Sequence, residues 1–172
     1  MEFTSPACGV TIKVNQCNMI AVISIILISV AATLITGYFD CKNEARQIFM
    51  ENNIPNAAKA ILKQKYEKHL LWSVHRIVIF FATSIPLFYV KQDWIHLLIA
   101  AINFVSQICL FRFWHDSRLQ VEFGNKFTSD SDGLSSAKID SKIKDTWENR
   151  IYFYILFYVL LMIEGLLIIA FR

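Results

Sequence analysis

The chain has 172 residues, 55% of them hydrophobic and 18% charged, with a formal net charge of +3. Ordinary soluble domains carry roughly 45–50% apolar and about 25% charged residues, so a mean hydropathy of +0.43 is more than a core of this size conceals. Five glycines, three prolines and four cysteines exclude collagen-like repeats, turn-rich all-β designs and a disulfide scaffold, and the modest charge is no nucleic-acid footprint.

A helix rises about 1.5 Å per residue, so crossing a hydrocarbon core of about 30 Å takes roughly 20 apolar residues. Four stretches approach that length. After a tail at 1–17, the first is 18–38, uncharged between Lys13 and Asp40. It exceeds the roughly 7–15-residue apolar core of a cleavable signal peptide, so it is expected to stay. The second, 70–90, carries His75 and Arg76 in its first turns. The third is 94–113 and the fourth 151–171, with Glu164 inside it. The expected fold is an all-α integral membrane protein of four transmembrane helices with helical cytoplasmic extensions. Trp72, Trp94, Trp114 and Trp147 fall near the ends of these stretches, where amphipathic rings favour the headgroup level.

Four spans leave 39–69 and 114–150 on one side, with both termini on the other. Of the 17 Lys and Arg residues, all but Lys13, Lys91 and Arg172 lie on those two loops or their helix ends. The positive-inside rule puts both loops in the cytoplasm and both termini outside, in a plasma or bacterial inner membrane. Cys8 and Cys17 then lie in the outer tail, where pairing and two free thiols both stay open.

Within the first loop, Ile48 and Phe49 fall on one helical stripe. After Pro55, Ile61, Leu62 and Tyr66 fall on another, with lysines opposite. Such a face suits the headgroup boundary or a partner protein equally. In the second loop, Asp130 to Gly133 resembles a calcium loop, but the twelfth position counted from Asp130 is Ser141, not the required glutamate. Cys-x-x-Cys, His-Glu-x-x-His and Gly-x-Ser-x-Gly are missing from the sequence, and no cofactor or metal is expected. A zinc site would need His69, His75, His115 and Asp116 to converge.

A carboxylate inside an apolar span faces the bundle interior and seeks a partner. Matched by depth, Glu164 is expected to close a polar layer with Ser84, Asn103, Ser24 and His96. Ser29, Thr33 and Gly37, four apart, give the first span a close-packing face, used inside the monomer or between copies. Three functions compete. The first is a non-enzymatic subunit or oligomeric scaffold, as homo-oligomer or within a membrane-protein complex, that binds a partner through the cytoplasmic helices. Next comes an oligomeric ion- or proton-conducting pore using Glu164. Last stands a membrane enzyme using His115 and Asp116, for which no nucleophile and base pair can be named.

Overall fold

The computed structural model describes residues 7–53, 69–130 and 146–170, with side chains over 18–46, 74–130 and 146–170. The described residues form four helices: α1 (Ala7–Asn53), α2 (His69–Tyr89), α3 (Trp94–Glu122) and α4 (Trp147–Ala170). Three of them, α1, α3 and α4, contain stretches long and apolar enough to cross a membrane; the apolar part of α2, Val74–Tyr89, is shorter.

Local chemistry sets the helix ends. The 47 residues of α1 run about 70 Å at 1.5 Å per residue. Pro86 sits inside α2, near its C-terminal end. The α2–α3 turn uses Gln92 in the left-handed region (φ 55°), where its N–H bonds back to the Phe88 carbonyl at 2.9 Å. Asp93 then caps α3, its carboxylate accepting the His96 N–H at 2.7 Å. At the other end of α3, Gly124 (φ 79°) allows the Asn125 N–H to reach the Gln120 carbonyl and the Gly124 N–H that of Val121, both at 3.0 Å. This is a Schellman stop. Thr146 and Asp130 cap α4, accepting from the N–H groups of Asn149 (3.3 Å) and Trp147 (2.6 Å).

Helix α3 is the hub, packed on each of the other three, whereas α4 leans mainly on α3. The half of the bundle beside the α2–α3 turn closes on Val22, Ile26, Leu87, Ile99 and Ala100, and the other half on Cys109, Leu110 and Phe157. Large apolar side chains such as Leu27, Ile28, Phe81, Met162 and Leu166 face outward. Among the described residues, fourteen polar or charged residues are buried beside twelve hydrophobic ones, a pattern that suits a chain whose outer surface faces lipid and whose interior is held by interhelical hydrogen bonds.

Cys8 and Cys17, whose pairing the sequence leaves open, lie on one continuous helix, so their Cα atoms are about 13 Å apart along its axis, beyond the roughly 7 Å that a bridge within the chain needs.

Candidate functional site

Two polar layers occupy the interior. The first is built around Gln107, midway along α3. Its amide nitrogen donates to the Phe80 carbonyl (3.2 Å), the Ser84 hydroxyl (2.8 Å) and the Asn103 side-chain oxygen (3.0 Å). Its amide oxygen lies 3.1 Å from the Thr33 hydroxyl and 2.9 Å from that of Thr83. Ser84 in turn donates to the Asn103 oxygen at 2.9 Å. The Ser29 hydroxyl has the Thr83 carbonyl across the interface at 3.1 Å. Glu164 completes the layer from α4. Its Oε1 lies 3.2 Å from the Ser106 hydroxyl, with the Asn103 side chain beside the carboxyl group. Its Oε2 is buried without a hydrogen-bond partner.

Of the residues expected beside Glu164, Asn103 touches it directly and Ser84 joins through Asn103. Two do not belong. Ser24 is exposed: it shares the depth, but five residues before Ser29 it is turned about 140° around the helix, at 100° per residue. His96 is buried, yet it lies seven residues, about 10 Å, from Asn103 along the axis. It faces Asp93, Nδ1 to Oδ1 at 2.7 Å. Depth alone fixes a level and leaves the direction around each helix open.

Ser29, Thr33 and Gly37 form a face turned into the monomer. Ser29 and Thr33 are fully buried, and a Cβ on Gly37 would stand 2.9 Å from Trp114 Cδ1. The same Trp114 donates its indole N–H to the Leu34 carbonyl at 3.1 Å. A glycine at 37 thus lets α3 present its ring directly against the α1 backbone.

The second layer is charged and lies toward the C-terminal end of α3, away from the α2–α3 turn. Arg76 of α2 pairs with Asp40 of α1 (2.6 Å) while its guanidinium rests 4.6 Å over the Phe111 ring. Phe111 stacks on His115 with centroids 5.0 Å apart. His115 stands between two carboxylates. Its Nδ1 meets Asp116 at 2.9 Å, and its Nε2 lies 3.2 Å from Glu44, off the line of a good hydrogen bond, so the second contact is chiefly electrostatic. Arg112 holds the other Asp116 oxygen at 2.6 Å. Buried Arg150, on α4, reaches the Ser117 hydroxyl (3.4 Å) and the carbonyls of Phe127 (3.3 Å) and Ser129. These bonds tie the 123–130 segment to the bundle.

His115 and Asp116 are therefore neighbours, but they are held in ion pairs, with each other and with Arg112 inside α3 and through Glu44 to α1. His75 is exposed, the side chain of His69 lies outside the described residues, and among the described residues no His, Cys, Asp and Glu trio is placed to hold a metal ion. The stripe residues Ile61, Leu62 and Tyr66 lie outside the described residues, as do residues 131–133 of the calcium-like run. Ile48 and Phe49 lie on α1, but their side chains are not among those described.

Sequence reasoning missed Ser106, Gln107 and Thr83 in the first layer and Asp40, Glu44, Arg76 and Arg150 in the second. A signal existed for two of them. Ser106 and Gln107 stand three and four residues after Asn103, the spacing that keeps side chains on one helix face. Comparison with known proteins finds no matching family, curated protein or solved structure.

Proposed function

We propose that this is a small polytopic membrane protein without enzymatic activity, a subunit or oligomeric scaffold that engages a partner through its cytoplasmic helices. In this reading all four helices cross a plasma or inner membrane, with both termini outside. The 21 residues of α2 rise about 31 Å, and the Arg76–Asp40 ion pair offsets the one full charge in its inner turns. A shorter apolar stretch then suffices.

The observation that carries the proposal is the continuation of α1 as a single helix through Asn53, about 22 Å beyond residue 38 at 1.5 Å per residue. Its root is clamped to the bundle by Asp40–Arg76 and Glu44–His115. A helix held rigidly at its base and projecting past the headgroups is a pre-ordered docking arm, and pre-ordering lowers the entropic cost of association. The interior polar groups bond mainly to one another, as helix association requires, rather than lining a wet path.

Photo-crosslinking in native membranes tests the proposal. A photoreactive residue at Asn43 or Arg46, both exposed on the arm, is expected to trap an adduct of defined mass, a second copy or another protein. The same group at Met162, on the outward apolar face of α4, is expected to trap lipid. Absence of protein adducts from the arm, together with a monomeric mass in mild detergent, overturns it.

A further inference from the structure

Glu164 is the only carboxyl group in the four apolar stretches, and it is 0% exposed. Its neighbours are uncharged on every side. Helix α3 presents Asn103 and Ser106, and behind them Gln107; α2 contributes Thr83 and Ser84, and α1 Ser29 and Thr33. The titratable groups above and below are engaged elsewhere: His96 with Asp93 toward the outer end, and Asp40, Glu44, Arg76, Arg112, His115 and Asp116 with one another toward the inner end. One carboxyl oxygen is thus held by neutral donors, while the other is buried with no hydrogen-bond partner.

We propose that Glu164, oriented by Asn103 and Ser106, is an intramembrane proton-binding site whose Oε2 takes up a single proton inside the bundle and returns it to alkaline medium. The asymmetry of the two oxygens is the reason. Donors on Oε1 fix the carboxyl plane in the neutral acid and in the anion alike, so either form keeps the helix contact. Oε2 is left for the proton. An anion here has no counter-charge, and lipid surroundings make that form costly. The charge of an incoming proton is then cancelled on the carboxylate itself, without a second ion. The site belongs to α3 and α4 and does not depend on the docking arm, so it stands or falls independently of the scaffold reading.

Infrared difference spectroscopy of the full chain in phosphatidylcholine vesicles tests this by following the carbonyl stretch of a protonated carboxyl through a pH titration. The expected result is a band that bleaches in one single-proton step on alkalinisation, is lost in Glu164→Gln and moves in frequency in Glu164→Asp. Ser106→Ala, which removes a donor to the anion, is expected to move the midpoint about one pH unit upward. A purely structural acid would leave the band unchanged up to the pH at which the helices melt, and that result overturns the proposal. So does the absence of any Glu164-dependent band. Loss of the band on adding sodium at constant pH replaces the proton with a metal cation and overturns it as well.

Discussion

At the residue scale, Gln107 and Gly37 do the most to unite the bundle. Gln107 links α3 to Thr33 of α1 and to Phe80, Thr83 and Ser84 of α2. Single interhelical hydrogen bonds in membranes contribute only about 0.6 kcal/mol on average. Removing several at once leaves their partners unsatisfied, so Gln107→Leu is expected to destabilise the bundle by about 1–3 kcal/mol, measured by equilibrium unfolding in mixed micelles. At Gly37 the obstacle is a rigid indole ring 2.9 Å from the new methyl, so Gly37→Ala is expected to cost about 1–3 kcal/mol through overpacking. It should also break the bond from Trp114 to the Leu34 carbonyl. A change in Trp114 fluorescence, read in a variant whose other tryptophans are phenylalanine, checks this. Glycine at 37 was legible as part of a four-residue spacing; its partner ring on α3 was not, because only the folded bundle brings the two together.

At the element scale, the α2–α3 turn controls how the second and third helices meet. Asp93 caps α3, and the donated His96 N–H, with the imidazole beside it, holds its carboxyl below the usual aspartate range. A depressed carboxyl stabilises the fold above its unfolded value, about 3.9, and that contribution is lost as the pH falls through the lower folded value. Helical content at the start of α3 is therefore expected to decrease only in strong acid. Asp93→Asn, which still caps, should remove the pH dependence while keeping most of the helix, whereas Asp93→Ala should lose about 1 kcal/mol at neutral pH. Hydrogen exchange at the amides of 95–97 reads both. The elements themselves were largely legible, since hydropathy is a local property of the chain. The polar layer was only half legible. Matching residues by depth placed Asn103 and Ser84 beside Glu164 but also admitted Ser24, which points away, and passed over Gln107, which angular spacing would have found. The inner ion pairs were not legible, because Glu44 and His115 come from helices far apart in sequence.

At the scale of the whole molecule, the fold is a bundle turned inside out, with polar groups within and large apolar ones on the outside. The lysine and arginine distribution gives an expected orientation, which is open to direct measurement. Cys41 makes a poor reporter because it is fully buried. Lys91, in the α2–α3 turn, and Lys126, beyond α3, are both exposed and stand at opposite ends of the hub helix. In a cysteine-free background, Lys91→Cys is expected to react with an impermeant maleimide added to intact cells. Lys126→Cys should react only after permeabilisation. The reverse pattern inverts the molecule.

The unbroken course of α1 from Ala7 to Asn53 makes it a torsion rod. Each residue advances the spiral by about 100°, so adding one amino acid near position 39 would swing everything beyond it through more than a quarter circle. Glu44 would then point away from His115, and the rest of the helix would face a new compass bearing. The length of the first helix is thereby also an angular setting, and a deletion that leaves it hydrophobic enough to insert still changes what it aims at.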